Sequence, residues 1–194
     1  MGVFMEKNRF ILFDRDGVIN IEKSYLYKIE DFEYESGVIE GLKKLKKLGY
    51  RFLIITNQAG IARGYYTEED YLKLEKFITE DLENKGIKIE KTYYCPHHPE
   101  GKENYGIECD CRKPNTGNFL KAIEEFQIDV KKSFMIGDRI TDLIPAEKLG
   151  FKTVLVKTGY GMKNISKLAD NGLKSLVVGS ISEFGDFLKE NGAM

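Results

Sequence analysis

The sequence predicts an α/β domain: a doubly wound, mainly parallel sheet with helices on both faces. Three observations carry that expectation. The strand-sized apolar stretches are unbroken, as in Phe10-Ile11-Leu12-Phe13, which is the pattern of a strand buried on both faces. They alternate with helix-length segments, so successive strands need right-handed crossovers. Several of them end abruptly in polar residues, and ligands of open α/β sheets bind just beyond the carboxyl ends of strands.

Each element has its own signal. The first strand stops at Asp14-Arg15-Asp16-Gly17, where the glycine permits a tight turn. Residues 21–36 form a polar and aromatic loop. Over 37–48 the apolar positions Val38, Ile39, Leu42, Leu45 and Leu48 lie on one face with lysines opposite, an amphipathic helix stopped by Gly49. Residues 51–56 form a second buried strand, ending in Thr56-Asn57-Gln58-Ala59-Gly60. Thr67 before Glu68, Glu69 and Asp70 has the form of an N-cap with acids in the first turn, and opens a long helix to about Lys85. A third strand over 87–94 leads into a loop over 95–115, a helix over 116–126 and a fourth strand over 133–136. A short helix ending at Leu149, strands at 152–156 and 176–178, and a closing helix over 181–189 complete the set.

One domain over residues 1–194 is expected, since no repeat or low-complexity tract divides the chain. Its 30 basic and 31 acidic side chains give a net charge of −1, no electrostatic case for nucleic acid. The apolar runs fall far short of the ~20 residues of a membrane span. Residues 1–9 lack the apolar core and cleavage site of a secretory signal, and Glu6 stands where a myristoylation signal takes Ser or Thr. A cytoplasmic monomer acting on a small molecule, without nucleic-acid or membrane partners, is therefore expected.

Three strand ends bring polar groups to one rim: Asp14 and Asp16, Thr56 and Asn57, Asp138 and Asp142. Arg112-Lys113-Pro114 stands just before a helix. This is equipment for phosphoryl transfer. A carboxylate can attack phosphorus and divide a hard hydrolysis into two easier steps. It approaches a phosphate dianion only when charge is neutralised, which a hard, oxygen-ligated cation such as Mg²⁺ does. The three cysteines and both histidines fall within residues 95–111. An odd number of cysteines in a reducing compartment argues against disulfides, and three thiolates with one imidazole make a closed Zn²⁺ set of the structural kind.

The strand-end set resembles the haloacid dehalogenase (HAD) superfamily of phosphotransferases. Its four motifs are apolar run-Asp-x-Asp-Gly, a Thr or Ser after the second strand, a Lys before a later helix, and Gly-Asp-x-x-x-Asp. All four occur here in that order. The resemblance implies Asp14 as nucleophile, Asp16 as general acid and then base, and Thr56 and Lys113 as holders of the phosphoryl oxygens. It implies Mg²⁺ on Asp14, the Asp16 backbone carbonyl and Asp138, with Asp142 behind them. Within the superfamily, Phe13-Asp14-Arg15-Asp16-Gly17-Val18-Ile19-Asn20, Tyr94-Cys95-Pro96-His97-His98-Pro99 and Cys109-Asp110-Cys111-Arg112-Lys113-Pro114 resemble the branch of histidinol phosphatases and heptose bisphosphate phosphatases. There Cys-x-His and Cys-x-Cys bracket a loop, so the resemblance makes Cys95, His97, Cys109 and Cys111 the zinc ligands, with His98 outside.

No sizeable insert separates the first two motifs, so no large cap domain is expected, and residues 22–25 and 95–113 would wall the pocket. Substrate contacts are expected from Glu22, Lys23, Ser24 and Tyr25, from Asn57, Gln58 and Ala59, and from Arg63, Arg112 and Arg139. Arg112 is the foremost candidate for a second phosphate. Ala59 and Arg139 depart from the usual Ser and Lys of the branch, and Arg changes reach and hydrogen-bond geometry. The resemblance implies a phosphorylated sugar of the heptose bisphosphate class, serving lipopolysaccharide or other surface glycans, with histidinol phosphate as the alternative. A receiver domain would share the fold but has no use for Asp16 or the cysteine loop. A zinc-stabilised binding module has no use for the full motif set.

Overall fold

Strand β1 (Phe10–Phe13) runs through the middle of a six-stranded sheet in the computed structural model, which describes residues 8–192. Around it the chain builds α1 (Val38–Lys47), β2 (Arg51–Asn57), α2 (Ala59–Arg63), α3 (Glu68–Asn84) and β3 (Ile89–Cys95). Then come α4 (Gly117–Phe126), β4 (Phe134–Gly137), α5 (Ile140–Lys148), β5 (Lys152–Val156), α6 (Gly161–Asn164), α7 (Lys167–Asp170), β6 (Leu176–Val178) and α8 (Ile181–Asn191). The order is β3-β2-β1-β4-β5-β6 and every pairing is parallel. The winding reverses at β1, which pairs with β2 on one side and β4 on the other. This is the switch point at which open α/β sheets place ligands.

Alternate residues of β1 feed two cores, which is why its apolar run is unbroken. Ile11 and Phe13 pack with Leu42 of α1, Ile78 of α3 and Phe184 of α8. Phe10 and Leu12 pack on the opposite face with Phe119 of α4 and Leu143 of α5. All of these are fully buried, each contributing about 1.5–3 kcal/mol of burial. Such a strand gives its carboxyl end a rigid mount. The predicted cap of α3 is present as a reciprocal pair: the Thr67 hydroxyl accepts from the Asp70 N–H at 3.1 Å, and the Asp70 carboxylate accepts from the Thr67 N–H at 3.0 Å.

The sequence reading differs from the structure in a few places. Ala59–Arg63 is helical where only a polar strand end was expected, closed by Gly64 in the left-handed region (φ 73°). The third strand begins at Ile89 rather than 87, opposite Phe52 of β2. Gly161–Asn164 and Lys167–Asp170 are one-turn helices, too short for apolar periodicity to reveal. No helix among the described residues is long and apolar enough to cross a membrane. The reading of residues 1–9 as neither secretory nor lipidated falls, for 1–7, outside the described residues.

Candidate active site

The carboxyl ends of β1, β2 and β4 meet at the floor of a cavity of about 410 Å³. Lys113 enters it from the loop before α4. Its ammonium donates to Asp14 Oδ1 at 2.8 Å and to the Ile55 carbonyl at 2.7 Å, and pairs with Asp142 Oδ1 at 2.8 Å. Its backbone is clamped by the Asn57 amide: Nδ2 donates to the Lys113 carbonyl and Oδ1 accepts from the Lys113 N–H, each at 3.0 Å. The end of β2 thus fixes the cation that sits on the end of β1. Asp142 Oδ2 also accepts from the Arg139 N–H at 3.0 Å, which ties it to the start of α5.

Asp138 is fully buried. Its Oδ2 accepts from the Tyr160 N–H at 2.7 Å, while Oδ1 has no hydrogen-bond partner among the described residues. Two glycines make room for it, since a Cβ on Gly17 or Gly159 would stand 2.4 or 2.2 Å from Asp138 Oδ2. Carboxylate oxygens of Asp14, Asp138 and Asp142 lie within 4.8 Å of one another. Burial pushes Asp14 up to about 7, with Lys113 opposing and Asp142 adding to the rise. Asp138 is pushed up to about 8, by burial first and then by Asp142 and Asp14. Crowded hard oxygens, one of them buried without a hydrogen bond and with only Arg139 Nε at 4.0 Å, fit a divalent cation of the Mg²⁺ type, which would favour the ionised carboxylates.

Asp16 is built differently. Its Oδ1 accepts from Arg15 Nη2 and Asn20 Nδ2, each at 3.0 Å, and Oδ2 accepts from Gln58 Nε2 at 3.1 Å. Burial pushes its carboxyl up, but the Arg15 guanidinium and these bonds outweigh burial and hold it below the usual carboxylate range. Gln58 is itself fixed, by Thr56 Oγ1 at 2.9 Å and by the Tyr66 hydroxyl at 2.7 Å. Two neighbouring carboxyls are therefore pushed in opposite directions: without a cation Asp14 keeps its proton more readily than Asp16, whose carboxylate is stabilised by its donors.

Most of the residues singled out from sequence converge here. Asp14, Asp16, Glu22, Ser24 and Tyr25 line the cavity, as do Asn57, Gln58, Ala59, Arg112, Lys113 and Arg139. Asp138, Thr56, Lys23 and Arg63 do not, Asp138 lying buried beside Asp14 and Asp142. Thr56 is buried at the strand end, where its Oγ1 accepts from Gln58 Nε2 at 2.9 Å while its O–H stays available as a donor. The Lys23 ammonium is drawn away by Glu33 and the Asp31 carbonyl. Arg63 pairs with Glu100 at 3.3 Å and approaches His98 Nε2 at 3.2 Å. Tyr66, Thr141 and Tyr160 also line the cavity and were missed. Tyr160 follows β5 within Thr158-Gly159-Tyr160-Gly161, a strand-end signal of the same kind as the others.

The two wall arginines differ. Arg139 pairs with Glu22 at 3.3 Å and lies over the Tyr160 ring, 3.8 Å from its centroid. Arg112 donates to the His97 carbonyl at 3.2 Å and has no ion pair with a carboxylate among the described residues. Beside it, ligand atoms of Cys95, His97, Cys109 and Cys111 lie within 4.8 Å of one another. The Cys95–Cys109 and Cys109–Cys111 sulfur separations are 3.5 and 3.2 Å, and His97 Nδ1 is 3.3 Å from Cys111 Sγ. Tetrahedral Zn²⁺ with ordinary Zn–S bonds sets sulfurs about 3.7 Å apart, so small adjustments accommodate the ion. His98 lies outside the cluster, its Nδ1 accepting from the Glu100 N–H at 3.1 Å.

A parallel sheet carrying these carboxylates and a buried lysine at its switch point defines a hydrolase of the HAD class, and residues 110–183 match the family described as HAD-hydrolase-like. The D-glycero-beta-D-manno-heptose-1,7-bisphosphate 7-phosphatase of Pasteurella multocida is 42% identical over 92% of this chain and 96% of its own. The D-glycero-alpha-D-manno-heptose-1,7-bisphosphate 7-phosphatase of Photorhabdus laumondii is 47% identical over 79% of this chain and 85% of its own. The crystal structure of the D,D-heptose 1,7-bisphosphate phosphatase from B. bronchiseptica, complexed with magnesium and phosphate, matches with a TM-score of 0.82 at 26% identity, covering 95% of this chain and 99% of that one. The chain belongs to the HAD-like phosphatases, in the family of these heptose bisphosphate phosphatases.

Proposed function

We propose that the chain is a Mg²⁺-dependent phosphatase that removes the C7 phosphate of D-glycero-D-manno-heptose 1,7-bisphosphate through a phosphorylated Asp14. Asp14, Asp138 and the Asp16 backbone carbonyl would hold the Mg²⁺, whose charge allows a carboxylate and a phosphate dianion to approach. The phosphate dianion beside Asp16 favours its protonated form; Asp14 then attacks phosphorus, the bond from phosphorus to the C7 oxygen breaks, and Asp16 passes that proton to the departing oxygen. Asp16, now a carboxylate, takes a proton from the water that attacks phospho-Asp14, and inorganic phosphate leaves. Lys113 neutralises the phosphoryl oxygens as charge shifts. Asn57 and Asp142 position Lys113, and Thr56, whose oxygen accepts from Gln58, keeps its O–H to hold a phosphoryl oxygen.

The observation that carries the bisphosphate reading is Arg112. A half-buried guanidinium with no carboxylate partner, set in the wall beside the nucleophile, is suited to grip a second phosphate with two parallel hydrogen bonds. Histidinol phosphate would instead bring a cationic amine to the same wall. The Cys95, His97, Cys109 and Cys111 cluster, read as a structural Zn²⁺ site, orders the loop that ends in Arg112 and Lys113. Purified protein assayed with Mg²⁺ against heptose 1,7-bisphosphate, other sugar phosphates and histidinol phosphate tests the assignment. The highest kcat/KM should belong to the heptose bisphosphate, and a preference for histidinol phosphate would replace it.

A further inference from the structure

The amphipathic pattern of α3 leaves one residue unexplained. Its buried stripe runs Tyr71, Leu74, Glu75, Ile78 and Leu82, and a carboxylate in such a stripe is costly unless it is partnered. Glu75 is 8% exposed. Its Oε1 accepts from the Thr92 hydroxyl, and Oε2 stands 3.4 Å from the Tyr71 hydroxyl and 4.0 Å from Arg15 Nη1. Arg15, between the two aspartates of the first motif, is wholly buried and lies over the Tyr71 ring, 5.5 Å from its centroid. Nη2 of Arg15 donates to Asp16 Oδ1 at 3.0 Å, to the Leu26 carbonyl at 3.3 Å and to Gln58 Oε1 at 3.4 Å. Its Nε and Nη1 have no hydrogen-bond partner among the described residues, so the Glu75 charge answers that side of the guanidinium. Neither Arg15 nor Glu75 lines the cavity.

We propose that Arg15 and Glu75 are positioning residues for phosphoryl transfer: Glu75 anchors the Arg15 guanidinium from α3, and Arg15 holds the Asp16 carboxylate where it meets the substrate's bridging oxygen. The inference rests on the reading of Asp16 as general acid and base. Asp16 stands in a turn just past β1, and Asn20, the other donor to Oδ1, belongs to the same turn and moves with it. Arg15 ties Oδ1 to α3 through Glu75, as Gln58 ties Oδ2 to the end of β2. It also loads Oδ1 with two donors, one of them charged, and leaves Oδ2 to a single neutral amide. That amide keeps its bond to Thr56 when it yields Oδ2, so Oδ2 is the oxygen free to exchange a proton with substrate. Lysine could not replace Arg15, because one ammonium cannot reach Asp16, Leu26 and Glu75 with separate donors.

The test uses Glu75→Gln, which keeps the shape and removes the anchoring charge, and Arg15→Lys, which keeps a buried positive charge without the separate donors and carries the test should Glu75→Gln not fold. For full-length, Mg²⁺-loaded protein, kcat/KM is measured on a sugar phosphate and on p-nitrophenyl phosphate, with Asp16→Asn as reference. It reports on the transfer to Asp14, and p-nitrophenolate departs without a proton. Losing the orientation of a general acid should lower kcat/KM on the sugar phosphate on the order of tenfold, and on p-nitrophenyl phosphate by less than about twofold. Asp16→Asn should show the same split more strongly. Equal loss on both substrates, or no loss on either, overturns the positioning role, and if Asp16→Asn alone keeps the split, the acid–base reading stands without it. If Asp16→Asn shows no split, both fall together.

Discussion

The two clusters of ligand-type side chains, Asp14/Asp138/Asp142 and Cys95/His97/Cys109/Cys111, each bring their donor atoms within 4.8 Å of one another, yet they are assembled in opposite ways. The thiol–imidazole cluster comes from one stretch of chain, is largely half-buried, and offers three soft thiolates and one imidazole that can close a tetrahedron. The carboxylate cluster gathers residues from the ends of β1 and β4 and the start of α5. It is wholly buried, offers hard oxygens and adjoins the cavity. The first sits in a loop with few apolar residues of its own, so a cross-link there supplies folding energy. The second sits on a sheet whose cores are complete without it. The expected consequence is a division of labour: an ion in the loop governs stability, and one at the sheet governs rate.

Several outcomes would break or sharpen that contrast. The largest effect belongs to Asp14→Asn, where kcat should fall by at least ~10⁴-fold, because an amide cannot form the acyl phosphate. Its thermal transition should be unimpaired, since the change removes a charge that burial disfavours. Near-normal turnover by folded Asp14→Asn protein would contradict the mechanism. Cys109→Ser should do the reverse: elemental analysis should show one zinc per chain in wild-type protein and none in the variant. Denaturant titration should show a loss of at least ~3 kcal/mol of stability. A variant that kept full stability would show that the loop does not depend on its ion.

Arg112 links the two regions, standing next to Cys111 and lining the cavity. Arg112→Ala should lower kcat/KM on heptose 1,7-bisphosphate by about 1.5–3 kcal/mol in free-energy terms, the scale of charge-assisted hydrogen bonds. A small monophosphate should lose much less. Equal losses would remove the second-phosphate role. The smallest effect is on pH dependence. Asp14 and Asp138 are pushed from 3.8 up to about 7 and about 8, so between those limits the folded metal-free protein binds more protons than the unfolded chain. From these two groups, stability is full below about pH 4 and is lost as pH rises through about 7–8. Mg²⁺ needs the ionised forms, so the rise in Tm on saturating Mg²⁺ should be greater at pH 8 than at pH 6. A rise independent of pH would place the ion elsewhere.

Much of this was legible in the residues because burial on both faces writes itself as unbroken apolar runs, and because β1, β2 and β4 each end in polar groups. Asp14 and Asp16 follow from such positions, whereas the choice of Lys113 and of His97 over His98 comes from the resemblance to the HAD branch. What the residues do not record is which way a side chain turns and what captures it. Thr56 stands at the strand end as expected, and its oxygen also accepts from Gln58, a partner two positions on that no pattern announces. Lys23 is taken by Glu33, and Arg63 by Glu100. Glu75 left a signal, a carboxylate inside an apolar stripe, but its meaning needed Arg15 beside it, 60 positions away in the chain. The short helix at Ala59–Arg63 had no periodicity long enough to read.

The central claim is that phosphate passes through a covalent bond to Asp14. Mixing the Mg²⁺-loaded enzyme with excess substrate, quenching in acid within the first turnover and mapping the peptides by mass spectrometry tests it directly. The account predicts a single phosphoryl group on the peptide of residues 10–15, assigned by fragmentation to Asp14 and lost on treatment with hydroxylamine. Turnover at full rate with no phosphorylated peptide, or with the group on another residue, would contradict it.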